Sequence, residues 1–439
     1  MSRKDFADVK RIDDVYRPAE ERRRDFRDVE RRLRTDEVLA QSKRCMDCGI
    51  PFCHGAGCPL GNVIPEMNAA VRAGDWHNAW NLLSSTSPMP EFTARVCPAL
   101  CEGACTAGID FGAVMVRQIE KAVVETAFAE GWIKPEQPKP RNGKHVAVAG
   151  AGPAGLAAAI ELNRRGFSVT VFERNEKPGG LLRYGIPEFK LEKHIIDRRI
   201  DVMEKSGIRF LCGAEIGRDI AGSYLTKQYD AVLVAAGTPA ARDLPIPGRE
   251  LSGIHFALDY FNGDFSAEGK RVLVIGGGDT GSDCVGTAIR QNAKSVLQIE
   301  IMPKPPAARS ERTPWPDWPY LLRTSSSHKE GGERRWNLRS VRFTGDRAGA
   351  VRGVDVAEAD AAGAGGVEVI ETDFVLLAMG FLKPEPAAML KQMDFAADAG
   401  NVFVAGDAAN GPSLVVRAIA DALSAVEKID EIFRSRLSF

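Results

Sequence analysis

The chain has 439 residues, 44% of them hydrophobic, and a formal net charge of −1. That suffices for a large core divided into about two or three domains, at roughly 100–200 residues each. The near-neutral balance gives no reason for nucleic acid or a membrane surface as partner. The opening MSRKDFADVK lacks the apolar core of a signal peptide, so a cytoplasmic protein is expected.

Residues 1–44 are crowded with charges of both signs and hold no glycine, which predicts a solvated helical arm. Thr35, followed by Asp36 and Glu37, reads as the N-cap of a helix that delivers Cys45. The run CMDCGIPFCHGAGCP then supplies Cys45, Cys48, Cys53 and Cys58, and CPALCEGAC supplies Cys97, Cys101 and Cys105. In a reducing compartment such clustering means metal or redox chemistry rather than disulfides. Closed zinc sites use four ligands, usually from paired C-x2-C knuckles, and only Cys45 with Cys48 has that spacing. Cubane iron–sulfur clusters also take four ligands, and seven cysteines divide as four plus three. Iron–sulfur is favoured, with zinc and thiol redox chemistry as alternatives. Cys97, Cys101 and Cys105 fall four apart and share one face if CPALCEGAC is helical, Pro98 being tolerated in a first turn. His54, inside the run, is expected to make a hydrogen bond rather than ligate. The proline-rich KPEQPKPRNGK closes this region.

The run from His145 to Leu162 is apolar but broken by Gly150, Gly152, Pro153 and Gly155, so it is a strand and a helix, not a membrane span. HVAVAG, a glycine loop, a helix through Arg165 and the strand FSVTVFE make a βαβ unit. GAGPAG sets Gly150, Gly152 and Gly155 in the G-x-G-x-x-G spacing of a dinucleotide fingerprint, with Glu173 placed to hold ribose hydroxyls. The grammar returns at Arg271: RVLVIGGG, a helix to Arg290 and the strand SVLQIEIMP, with Gly276, Gly278 and Gly281 in the same spacing. Here Glu300 favours a free ribose hydroxyl, while Arg309 suits a 2′-phosphate, which leaves NADH and NADPH open. Cys212 and Cys284 stand alone and read as buried structural thiols. FVLLAMG and NVFVAGDAA, after about Thr372, read as strands that return to complete the first unit, the second being an insertion in it.

RCMDCGIPFCHGAGCPLGN, PEFTARVCPALCEGAC, GAGPAGLAAA, YGIPEFKLEK, GGGDTGSDC, PWPDWP and AGDAANGPSLVVRAI together resemble the small (β) subunits of glutamate synthases, from about Lys43 to Ile419. More distantly the chain is similar to the N-terminal part of dihydropyrimidine dehydrogenase and to the large subunit of electron-bifurcating ferredoxin:NADP oxidoreductases. The resemblance implies an α/β protein: a helical 4Fe–4S domain over 1–140, an FAD domain in segments 141–265 and 374–439, and an NAD(P)H domain over 266–373. It implies two 4Fe–4S clusters, one held by Cys45, Cys48, Cys53 and Cys105. The other would take Cys58, Cys97, Cys101 and Glu120, with Gln118 the competitor for the last place. FAD would contact Gly150, Gly152, Pro153, Ala154, Gly155, Glu173, Gly180, Leu181, Gly237, Gly406, Asp407, Ser413, Leu414 and Val415. NADPH, or NADH in some members, would contact Gly276, Gly278, Asp279, Thr280, Gly281 and Arg309. No acid–base residue is needed for hydride transfer. The implied role is electron input to a large subunit that makes glutamate from glutamine and 2-oxoglutarate, with no nucleic acid or membrane as partner. The alternatives are a subunit serving ferredoxin or a pyrimidine reductase, or a zinc-stabilised nucleotide-binding scaffold. The segment between Pro386 and Asn401 is shorter than in that family, and Arg417 stands where tryptophan is common.

Overall fold

The computed structural model describes residues 5–138, 140–238, 240–263, 265–360 and 366–436. In HVAVA every residue after His145 is buried, as a central strand covered on both faces requires. This strand, β1 (His145–Ala149), pairs in parallel with β2 (Ser168–Glu173), which pairs with β3 (Arg209–Cys212). On its other side lies β4 (Ala231–Val234). The second unit starts from β5 (Ile254–Phe256), β6 (Arg271–Ile275), β7 (Ser295–Ile299) and β8 (Glu333–Arg335). Three antiparallel strands follow: β9 (Leu338–Gly345), β10 (Val351–Glu358) and β11 (Glu368–Glu371). The last two are β12 (Phe374–Leu377) and β13 (Val402–Val404). The parallel sheets run β13-β4-β1-β2-β3 and β5-β12-β6-β7-β8.

The second sheet corrects one expectation. FVLL, as β12, pairs with β6 and β5 rather than completing the first sheet. Only β13 returns to β4. The chain therefore enters the second sheet before Arg271 and leaves it after Leu377. The short 386–401 segment forms the helix Pro386–Gln392, and Phe395 packs under it against Ile216 and Leu225. The helix Val415–Arg436 then lies on the helix Pro153–Arg164, burying Ile419 and Val426 with Leu156 and Ile160.

The N-terminal region has its own core, in which Val38, Ile64, Met67, Val71 and Ile119 surround Cys101 and Cys105. Its first residues are not a solvated helical arm. Between Asp5 and Thr35 only Asp5–Asp8 and Ala19–Arg22 are helical, and Tyr16 bridges to Glu30. Arg22 and Arg44 are each 2% exposed. Arg44 donates to the carbonyls of Phe111 and Gly112 at 2.5 and 2.6 Å. Glu330 accepts from Arg22 at 2.6 Å and from Arg290 at 2.5 Å, so charges that look solvated in sequence hold the arm to the second nucleotide unit. The helix before Cys45 is Thr35–Ser42, and Thr35 is its first helical residue rather than its cap; Glu37 closes the turn by accepting from the Arg34 amide at 2.8 Å.

Candidate active site and cluster cavities

Both glycine loops follow one construction. Gly150 has φ +108°, and a Cβ there would stand 2.5 Å from the Ala235 carbonyl oxygen; a Cβ on Gly155 would meet the Gly150 oxygen at 1.9 Å. In the second loop Gly276 has φ +122° and the Ala378 oxygen at 2.3 Å, and Gly281 has the Gly276 oxygen at 2.2 Å. The middle glycines differ. The nearest atom to a Cβ on Gly152 is Gly180 Cα at 3.9 Å, and nothing lies within 4 Å of one on Gly278. Each loop thus encloses a hollow over the N-terminus of a 12-residue helix, Pro153–Arg164 or Asp279–Arg290. Free N–H groups and the positive end of the helix dipole face such a hollow, which suits a diphosphate. Gly180, with φ +51°, closes on the first loop so tightly that a Cβ would meet Gly152 Cα at 2.6 Å.

The two acids brace their loops. Glu173 accepts from the Ala151 amide at 2.9 Å, and Glu300 accepts from the Gly277 amide at 2.6 Å and from Met302 at 3.0 Å. Just after β13, at the same end of the first sheet, a Cβ on Gly406 would stand 2.7 Å from that of Ala154, which accounts for glycine there. Asp407 accepts from the Ser413 hydroxyl at 2.6 Å, and burial raises its pKa. Gly237 has φ +70° and open space around it.

A cleft of about 710 Å3 joins the two halves. Leu181, Ser413, Leu414 and Val415 line it from the first unit, and Gly278, Asp279 and Thr280 from the second. Arg309 does not line it. Its guanidinium donates to the carbonyls of Thr313, Asp317 and Gly103 at 3.0, 2.6 and 2.9 Å, so the expected phosphate contact is corrected to a tie between the second unit and the cysteine region.

The cysteines separate into two small cavities. Cys45, Cys48, Cys53 and Cys105 line one, with Ile64 and Val116. Cys58, Cys97, Cys101 and Glu120 line the other, with Val416 from the helix that borders the cleft. CPALCEGAC is not one helix. The helix Pro90–Val96 stops before Cys97, which is extended ahead of Pro98 as residues before proline are; Ala99 is left-handed at φ +65°. The helix resumes only over Leu100–Gly103, which sends Cys105 to the other cavity. Glu120 is buried and accepts from Asn62 at 2.8 Å, whereas Gln118 donates to Glu30 at 2.9 Å and lines neither cavity. Burial raises Cys53 to about 12, Cys45 and Cys58 to about 11, and Glu120 to about 7. All seven thiols are free of disulfides. No three His, Cys, Asp or Glu side chains among the described residues converge tightly enough to hold a single ion. The linings, four cysteines in one cavity and three cysteines with a carboxylate in the other, are donor sets that a 4Fe–4S cluster can take. His54 Nδ1 lies 3.0 Å from the Asn62 carbonyl oxygen. Cys284 is buried as expected, but Cys212 is half-exposed on β3, at the edge of its sheet.

Two constellations on the cleft escaped the sequence reading. Lys190 forms an ion pair with Asp283 across the two nucleotide units, and burial pushes the Asp283 carboxyl up to about 6 against the pull of that lysine. His328 Nε2 lies 2.6 Å from Gln298 Oε1, whose amide donates to the Gly276 carbonyl at 2.7 Å. With the amide so oriented, His328 carries its proton on Nε2, and burial lowers its pKa to about 4, keeping it neutral. Both residues of the first pair lie inside quoted motifs, but their meeting is a tertiary fact with no local spacing to announce it.

Fold and site define an oxidoreductase that couples a pyridine nucleotide, a flavin and iron–sulfur chemistry. Residues 22–132 match the model of dihydropyrimidine dehydrogenase domain II, 4Fe-4S cluster, and residues 144–422 match that of pyridine nucleotide-disulphide oxidoreductases. The chain belongs to the glutamate synthase small-chain family. It is 46% identical to the glutamate synthase (NADPH) small chain of Mycobacterium tuberculosis, over 94% of this chain and 92% of that one. It is 39% identical to the glutamate synthase (NADH) of Saccharomyces cerevisiae, over 96% of this chain but 22% of that protein. Among solved structures, FprA from Mycobacterium tuberculosis in complex with NADPH shares the fold at 16% identity and a TM-score of 0.51, covering 67% of this chain and 86% of that one. No helix among the described residues is long and apolar enough to cross a membrane.

Proposed function

We propose that the chain is the electron-input subunit of a glutamate synthase. It takes reducing equivalents from NADPH and delivers them to a separate large subunit, which forms glutamate from glutamine and 2-oxoglutarate. The observation that carries this reading is the shared cleft: the second glycine loop, the flavin-side residues Ser413 to Val415, and Cys97 all line it. When bound, the flavin supplies hydride acceptance and division into single electrons, and the iron–sulfur clusters supply single-electron carriage.

The chain's own residues hold and orient these groups. Gly150, Gly152, Gly155 and the amides that open the helix Pro153–Arg164 receive the FAD diphosphate. Gly276, Gly278 and Gly281 do the same for the nicotinamide nucleotide. Lys190 and Asp283 fix the two units at their meeting point, and the chain from His328 through Gln298 to Gly276 stiffens the second loop. Cys58, Cys97, Cys101 and Glu120 form the inner ligand set, against Val416 and the cleft. Cys45, Cys48, Cys53 and Cys105 form the outer set. Around that set Met46, Ile50, Ile109 and Phe111 are exposed, Ile50 to 76%. Exposed apolar side chains grouped beside an electron exit suit a protein partner. The yeast relative, of which this chain spans 22%, supports a large partner by carrying the remainder in the same polypeptide.

The test is iron, sulfide and flavin analysis of anaerobically purified protein, followed by titration with NADPH. One flavin and two clusters per chain, reduced by NADPH and reoxidised by a large subunit with glutamine and 2-oxoglutarate, are expected. Intact reduction with no coupling to any such subunit would indicate another acceptor, such as ferredoxin. Zinc in place of iron would return the scaffold reading.

A further inference from the structure

The proposed function leaves open what distinguishes a 2′-phosphorylated nucleotide from an unphosphorylated one, and Arg309 is turned away from the cleft. Resting on that reading, we infer that Arg323 and Arg334 together form the 2′-phosphate site and set the preference for NADPH.

Both arginines line the cleft beside Gly277, Gly278 and Asp279. Arg334 lies on β8, opposite Gln298 of β7 in the parallel register. It is thus one strand over from the tip of β7, where the ribose end of a dinucleotide lies in such a βαβ unit. Arg323 comes from the loop before the short helix Ser326–Glu330 that leads into β8, and its guanidinium rests on the indole of Trp318, 4.1 Å from the ring centroid. Arg334 donates to the Arg323 carbonyl at 2.9 Å and to the Thr324 hydroxyl at 3.0 Å, which holds the two residues side by side.

Charge accounting singles out this pair. Neither arginine has a carboxylate partner among the ion pairs of the described residues, although Asp279 stands near enough to Arg323 for its charge to be felt. The other cations on this wall are committed: Lys190 to Asp283, and Arg335 to Glu368 at 2.6 Å. Glu300 is held at the tip of β7 by the Gly277 and Met302 amides and keeps its charge, so the arginines on the strand side of it must outweigh that charge for a 2′-phosphate to bind. Partial burial lowers the pKa of both arginines; at Arg323 the nearby charge of Arg309 adds to this and Asp279 opposes it. Two guanidinium groups held side by side match a phosphate of about two negative charges, and charge-assisted contacts of this kind are the strong ones.

The experiment measures binding of adenosine 2′,5′-bisphosphate and of 5′-AMP to the full-length, flavin-loaded protein by calorimetry. The native chain is expected to bind the bisphosphate at least about tenfold more tightly than AMP. In Arg334→Gln and in Arg323→Gln that ratio should fall to about threefold or less, with the NADPH-to-NADH ratio of KM values moving in parallel. Arg323 is exposed on a loop, so its substitution leaves folding intact even if that of Arg334 does not. Equal native affinity for the two probes would overturn the assignment, as would variants that keep the ratio or lose both probes together. Intact discrimination in a protein whose flavin NADPH fails to reduce would uphold the site while defeating the functional reading.

Discussion

Gly152 and Gly278 have ordinary φ values of −77° and −79°, and open space where a side chain would go. Nothing in the protein itself calls for glycine at either position, so the demand comes from what occupies the hollow. Gly152→Val should therefore fold normally yet lose most of its flavin. Gly278→Val should stay yellow but resist reduction by NADPH; absorbance at purification and after adding nucleotide separates the two outcomes. Glu125 makes a different kind of residue-scale test. It accepts from Arg95 at 2.9 Å and from Arg198 at 2.5 Å, joining the cysteine region to the FAD unit. Burial opposes its charge, but the two arginines overcome that and lower its pKa to about 2. A carboxyl depressed on folding stabilises the fold above its ordinary pKa, and that contribution disappears as pH falls towards the folded value. Glu125→Gln should thus cost up to about 3 kcal/mol at pH 7, and the gap to the native chain should narrow below about pH 5. Denaturant titrations across that range read it directly, and a gap independent of pH would refute the charge account. At this scale the sequence spoke clearly where spacing encodes function, as in the glycines and cysteines. It was silent on Lys190 with Asp283, and misleading on Arg309, because a side chain's partner is set by distant chain segments.

CPALCEGAC shows how an element can be misread while its residues are assigned consistently. A spacing of four suggested one helical face, but Pro98 forces Cys97 extended and Ala99 turns left-handed. The break divides the three cysteines between two cavities, which a continuous helix would not do as cleanly. Glu120→Ala should then disturb one cluster and spare the other. Iron should fall from about eight towards about four per chain, with one of two EPR signals lost. Cys105→Ser should remove the other signal; identical spectra from the two variants would refute the division. FVLL was misplaced for a related reason: a short, wholly apolar run announces a buried strand but not which sheet buries it. The charged arm was misread because composition alone does not reveal that Glu330 awaits Arg22.

Across the whole molecule, the N-terminal arm, the cysteine region and both nucleotide units are tied by buried charge. Arg22 and Arg290 share Glu330, Arg199 meets Glu91 at 2.5 Å, and Lys190 meets Asp283. Such ties hold cofactors that must exchange electrons at fixed separations, since transfer falls steeply with distance. In the proposed reading the input path lies within this chain, running from the cleft through the inner ligand set to the outer one beside Ile50. The isolated protein should accordingly oxidise NADPH with ferricyanide but form no glutamate, and adding the cognate large subunit should restore glutamate formation. Ile50→Asp places a charge on the most exposed of the apolar side chains around the outer set. It should leave ferricyanide reduction intact while weakening the large subunit's effect about tenfold or more, as a buried charge at an interface costs several kcal/mol unless paired. Steady-state rates against large-subunit concentration measure this. An unchanged half-saturation point would move the exit surface elsewhere, and glutamate made by this chain alone would end the division of labour.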